Sequence, residues 1–103
     1  MVCLFLSYNN GRKLGNVNRV FVHPRVAERH PDLSEADVLE ARAGCERWAP
    51  RLASNDGVAV GFDARRRFVE MVATRSPDGD WLIYHAMTPP SKKVLAEVRL
   101  RGR

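Results

Sequence analysis

From Val58 to Leu100 the apolar and polar positions fall into short blocks divided by turn residues. Val58, Val60 and Phe62 alternate with Ala59 and Gly61, which predicts a strand with one bulky face and one small face. In the next block Val69, Met71 and Ala73 make an apolar face, while Glu70 and Thr74 fall on the other, polar one. Trp81–Met87 is nearly all apolar, which predicts a central strand covered on both sides. Ala64–Arg67 and Pro77-Asp78-Gly79 supply the turns: proline fixes φ, aspartate bonds its own backbone, and glycine accepts positive φ. Beyond Pro89-Pro90, Ser91 suits a helix N-cap, and Val94, Leu95 and Val98 give the apolar stripe of a surface helix. The block as a whole predicts a three-stranded antiparallel meander closed by a C-terminal helix.

The first half is more broken. Arg19–Val22 reads as a strand, ended by His23-Pro24, because a residue before proline avoids the α region. Pro24–Arg29 gives one or two turns of helix, stopped at His30-Pro31. The best local signal follows. Ser34 is an N-cap with Asp37 three residues on, and Leu33 is placed to staple onto Val38. A helix is expected over Glu35–Ala43, with Gly44 as its C′ residue. Cys45–Asp56 is expected to be loop or frayed helix, broken by Pro50. Val2–Tyr8 suits a strand, and Asn10-Gly11 is the pair a tight hairpin turn favours. Residues 1–18 are thus read as an N-terminal extension or hairpin, and 19–103 as a single domain. The expected class is α+β: short N-terminal helices packed on a three- to four-stranded antiparallel sheet with a C-terminal helix.

Charge sharpens this picture. The 103 residues carry 17 Lys and Arg against 12 Asp and Glu, a formal +5. The excess is local: residues 57–103 hold nine Lys/Arg against five acids, whereas residues 19–56 hold six against seven. Arg65-Arg66-Arg67 and Lys92-Lys93 stand out, and arginine grips phosphate bidentately where lysine cannot. These five are the candidate nucleic-acid contacts, against the plainer reading of a solvated turn and a basic tail. Cys3 and Cys45 make no metal or disulfide pattern, so a reduced, cytoplasmic protein is expected, and with no H-E-x-x-H, G-x-S-x-G or Walker A motif no metal and no cofactor are expected. The apolar run near the N-terminus is too short for a secretory signal or a membrane span, so no membrane association is expected.

The order of the pieces resembles a known family. A helix start Arg29-His30-Pro31-Asp32-Leu33-Ser34-Glu35 precedes a strand and turn Gly61-Phe62-Asp63 with Arg67. Ile83-Tyr84-His85-Ala86-Met87 and the basic helix Lys92–Val98 then follow. Over about Val20–Leu100 this resembles the BrnT-like toxins of the RelE/ParE superfamily. Those chains have K/R-H-G-(V/I)-S-x-E-E at the helix start and G-x-D-x-x-G-R at the turn. The family's arginine at the end of the central strand is Met87 here, and its post-turn glycine is Arg66. The resemblance implies a toxin of a type II toxin–antitoxin pair: an RNA-cleaving α/β protein, neutralised by a cognate antitoxin, working without metal through the RNA's own 2′-hydroxyl.

Such cleavage needs a base for the 2′-OH proton, cations for the phosphorane and an acid for the leaving 5′-oxygen. His85, Glu70 and Tyr84 are the candidate catalytic residues. His85 closes the third meander strand beside the basic helix, and imidazole is suited to either proton transfer. A structural, hydrogen-bonded histidine and a surface ion-paired Glu70 are the plain alternatives. His23 and His30 flank prolines and read first as capping or packing residues, while Trp48, Tyr84 and Trp81 could stack bases. A second hypothesis stays open throughout: a non-catalytic module binding nucleic acid or protein on the same fold.

Overall fold

The computed structural model of the chain describes residues 19–101. In order the elements are β1 (Val20–Val22), α1 (Arg25–Arg29), α2 (Glu35–Ala43), β2 (Cys45–Pro50), β3 (Asp56–Phe62), β4 (Phe68–Arg75), β5 (Trp81–Met87) and α3 (Lys92–Arg101). The N-terminal hairpin expected over Val2–Tyr8 and Asn10-Gly11 lies outside the described residues. Among those described, no helix is long and apolar enough to cross a membrane.

The α+β class stands, but the sheet is larger and mixed. Five strands run in the order β1-β5-β4-β3-β2, so β4, not β5, is central. The meander β3-β4-β5 is antiparallel as expected. β1 adds a parallel edge, Val20 opposite Trp81 and Val22 opposite Ile83. That pairing brings together segments about sixty residues apart, and nothing local in either one announces it. The other edge corrects a second expectation. Cys45–Pro50 is a strand, not a loop or frayed helix, with Trp48 opposite Ala59 and Ala49 opposite Val58. A bulge between Cys45 and Arg47 spoils its alternation. Pro50 ends an edge strand, where a missing N–H costs no ladder bond.

Each sheet face has its own core. Val69, Met71, Ala73, Ile83 and Ala86 meet Leu33, Val38 and Ala41 from the α2 side, together with Val26 of α1. Val58, Val60 and Val72 meet Val94 and Val98 of α3. The alternation of β3 explains the division: its valines face α3 and its small residues face α2. The face of β4 that carries Glu70 and Val72 is therefore buried and not a solvent face, because α3 packs against it. Burying side chains such as Leu33 or Ile83, each 0% exposed, contributes roughly 1.5–3 kcal/mol apiece.

α2 begins as its sequence demands. The Ser34 hydroxyl accepts from the Asp37 N–H at 3.1 Å, and the Asp37 carboxylate accepts from the Ser34 N–H at 2.9 Å. Leu33 and Val38 are both fully buried in the same cluster. The other end differs from the expected left-handed cap: Gly44 has φ −95°. A side chain is excluded there by proximity instead, since a Cβ would lie 2.6 Å from the Phe62 carbonyl. Gly61 is tighter still, with the Ala41 and Gly44 carbonyls against it. Helix and sheet meet backbone to backbone at these two glycines.

The turn after β3 is a closed ionic knot. The buried Asp63 carboxylate accepts from the N–H groups of Arg65 and Arg67 and from Arg67 Nε at 2.8 Å. Arg67 also reaches the Asp32 carbonyl at 2.9 Å and the Asp37 carboxylate at 3.2 Å. Arg66 takes φ 65°, the left-handed conformation that glycine adopts most readily. In the second turn Gly79 takes φ 91°, and the Ser76 hydroxyl holds the Asp80 N–H.

Candidate active site

The site is set by one extra residue in β5. Pairing with β4 runs Glu70–Met87, Met71–Ala86 and Val72–His85, then slips to Ala73–Ile83. Tyr84 is thus a β-bulge, two residues of β5 opposing one step of β4. Strict alternation would put His85 on the same side as Trp81 and Ile83, inside the α2-side core. The bulge turns it over, so that His85 shares the α3 face with Glu70 and Val72. His85 Nε2 lies 2.7 Å from Glu70 Oε2.

Glu70 is almost fully buried, 3% exposed, and its other oxygen is held as firmly. The Ser91 N–H and hydroxyl both donate to Oε1, at 2.7 and 2.8 Å. Ser91 also caps α3 by accepting from the Val94 N–H. Burial pushes the Glu70 carboxyl up, but the bonds from His85 and Ser91 outweigh it and hold the group below its ordinary value. An ionised carboxylate only accepts, so the imidazole nitrogen facing it carries the proton. The other nitrogen of a neutral ring then carries the lone pair.

β1 is only three residues long, so past Ile83 the edge of β5 is flanked by α1 instead. Between α1, β4, β5 and the start of α3 opens a cavity of about 460 Å³. Glu70, Val72, Tyr84, His85, Ser91 and Val94 line it, ringed by Arg25, Arg29, Arg51 and Lys93. The His85 side chain is 31% exposed, so the imidazole is open to a ligand and not sealed in the core. Arg51 is held in place by a two-pronged pair with Glu97, at 3.0 and 3.1 Å. The Tyr84 hydroxyl donates to Asp56 at 2.5 Å. Burial and that carboxylate push the Tyr84 phenol up to about 12, so it is a hydrogen-bond donor and not a base.

The expected residues divide cleanly. His85, Glu70, Tyr84 and Lys93 come together in this cavity, though Glu70 is a buried partner and not the surface carboxylate its strand pattern suggests. Arg65, Arg66, Arg67 and Lys92 are not among its lining residues. Arg65 bonds Asp37 at 3.1 Å, and Arg67 belongs to the Asp63 knot. His23 is a cap, its Nδ1 accepting from the Arg25 N–H. Arg25, Arg29 and Arg51 were not singled out from sequence. The i, i+4 spacing of the first two is a legible signal for a shared helix face, whereas Arg51 carries none.

A cavity of about 400 Å³ at the other end of the sheet is lined by Trp48, Asp56, Arg75 and Trp81 among others. Among the described residues that line it there is no histidine, and Arg75 is the one cation. Among the described residues, no three His, Cys, Asp or Glu side chains converge to hold a metal ion. Comparison of the chain with protein-family models, with curated proteins and with solved structures finds no match.

Proposed function

We propose that this chain is an endoribonuclease that needs no metal, cleaving RNA through the substrate's own 2′-hydroxyl, and that it is the toxin half of a type II toxin–antitoxin pair. The observation that carries the chemistry is the His85–Glu70 pair at 2.7 Å in a cavity ringed by four cationic side chains. His85 is the base: its unbonded nitrogen takes the 2′-OH proton as that oxygen attacks phosphorus. Glu70 is the positioning residue that fixes the ring and steadies the imidazolium formed. Arg25, Arg29, Arg51 and Lys93 balance the charge that builds on the phosphorane oxygens, in a site where such contacts are stronger than in water. The products are a 2′,3′-cyclic phosphate and a free 5′-hydroxyl.

The toxin assignment draws on the resemblance, and local structure supports that likeness at four positions. Gly61 has no room for a side chain, Asp63 and Arg67 lock the turn, and Arg66 has the positive φ that suits the family's glycine. The shared turn motif is then a folding device, and the chemistry lies elsewhere, at the bulged strand. The direct test uses an RNA oligonucleotide and its 2′-deoxy counterpart. Wild-type protein should cleave the RNA in chelator and leave the deoxy strand intact, and His85→Ala should lose about 10²–10⁴-fold in rate while staying folded. Expression should arrest growth, and coexpression of a neighbouring small acidic-tailed DNA-binding protein should relieve it. Cleavage of the deoxy strand, or an unimpaired His85→Ala, would overturn the reading.

Met87, standing where the family has arginine, favours a second reading: the same cavity binds a phosphodiester without cutting it. That reading predicts salt-dependent RNA binding and no product.

A further inference from the structure

We infer that His30 is the second proton-transfer group of this site, the acid that protonates the leaving 5′-oxygen; the inference rests on the ribonuclease reading. In-line attack places the 2′- and 5′-oxygens on opposite sides of phosphorus, so one base on one side leaves the other oxygen unserved. Three of the cavity's four cations are guanidinium groups, and the fourth, Lys93, is an exposed side chain of α3 that serves the phosphate oxygens. Guanidinium groups do not release protons in proteins. The Tyr84 hydroxyl is committed to Asp56.

His30 ends α1 and is not itself one of the cavity's lining residues; it follows Arg29, which is, and its ring meets that of His85 edge to face, centroids 6.0 Å apart. The ring is half-buried, and neither of its nitrogens has a hydrogen-bond partner among the described residues. This sets it apart from His23, whose Nδ1 already serves the Arg25 N–H. Two imidazoles thus sit side by side, one fixed by a carboxylate with its lone pair free, the other with both nitrogens free. Protonated His30 gives its proton to the departing 5′-oxygen as the P–O5′ bond breaks and the 2′-O–P bond forms. His85 leaves the step protonated and His30 neutral. Exchange with water, or hydrolysis of the cyclic phosphate with the roles reversed, restores both.

An acid that serves the leaving group becomes dispensable when the leaving group needs no proton. The test compares an RNA oligonucleotide with nucleoside 3′-(4-nitrophenyl phosphates), whose nitrophenolate departs unaided. His30→Ala should slow oligonucleotide cleavage by about 10²–10⁴-fold yet turn over the nitrophenyl esters within about threefold of wild type, while His85→Ala loses both. Turnover of the ester also reports that the His30 variant is folded, and His30→Gln should match it. Equal loss on both substrates, in both His30 variants, overturns the assignment, as does no loss on either. Wild-type protein inert toward both substrates overturns the ribonuclease reading itself, and the role of His30 with it.

Discussion

Replacing Glu70 by glutamine separates what the carboxylate does for stability from what it does for chemistry. Glutamine has the same shape but one donor end and one acceptor end. The Ser91 N–H and hydroxyl, 2.7 and 2.8 Å away, demand an acceptor, so the amide oxygen turns to them and the NH₂ faces His85. His85 Nε2 must then accept, and its proton moves to the other ring nitrogen, where the base's lone pair was. The fold keeps all three bonds. Each changes from charge-assisted to neutral, and the cost of burying a charge disappears as well, so the net loss is about 1–3 kcal/mol. A domain of ordinary stability, about 5–15 kcal/mol, stays folded. RNA cleavage, in contrast, should fall by about 10²–10⁴-fold. Nitrogen chemical shifts of the His85 ring should report the reversed tautomer, and thermal unfolding the modest loss. Stability against pH adds a check. Because the folded carboxyl titrates below its ordinary 4.5, its contribution is complete above that value and is lost as pH falls through the depressed one. Wild type should shed this stability on acidification and Glu70→Gln should not. Near-wild-type cleavage by the variant, or an unchanged tautomer, would refute the argument.

Four other outcomes follow from the geometry. Gly61→Ala should cost about 3 kcal/mol or more by chemical denaturation, since its Cβ would meet the Gly44 carbonyl at 2.7 Å and Cys45 Cα at 2.9 Å, neither of which can give. Arg51→Ala should weaken RNA binding and flatten its salt dependence by about one phosphate contact. Arg67→Ala should leave both unchanged and lower the melting temperature, because its guanidinium ties Asp63, Asp37 and the Asp32 carbonyl together. Asp56→Asn should bring the Tyr84 phenol down from about 12, as absorbance titration against a Tyr84→Phe control would read, because a carboxylate neighbour goes while the burial stays.

Residues whose structure depends on near neighbours were legible. Ser34, Asp37 and Leu33 announce α2 because capping is a matter of three or four residues, and Ser91 does the same for α3. The meander was legible because its strands follow one another through short turns. What escaped depends on distance along the chain. β1 finds β5 across most of the molecule, and β2 is disguised by a bulge and a terminal proline. Charge misled for a related reason. Arg65-Arg66-Arg67 is the densest basic run in the sequence, yet two of the three are held by Asp37 and Asp63. The cations at the cavity come from three separate places in the fold: Arg25 and Arg29 of α1, Arg51 after β2, and Lys93 of α3. Local density of charge is visible in a sequence, whereas convergence is a property of the fold.

The bulge at Tyr84 joins these points into one argument. Had β5 kept its alternation, Glu70 would face α3 with no imidazole beside it, and His85 would sit among Met71, Ala73 and Ile83 with no partner for its ring nitrogens. A buried carboxylate without that partner and a buried imidazole without an acceptor would each cost stability. One added residue removes both penalties together and pairs the two groups at the mouth of a cavity. The same bulge leaves Tyr84 at the surface, where its hydroxyl finds Asp56. Sequence registers none of this directly, since Ile83-Tyr84-His85-Ala86 has no glycine or other mark of irregularity. What it does register is the conflict: a histidine on the core side of an apolar strand beside a glutamate on the neighbouring one. Such a conflict has two resolutions, a strained core or a change of face, and the chain takes the second. For that reason the buried pair is read as a site and not as ordinary core polarity: the backbone departs from regular pairing at the one step that brings the acid and the imidazole together.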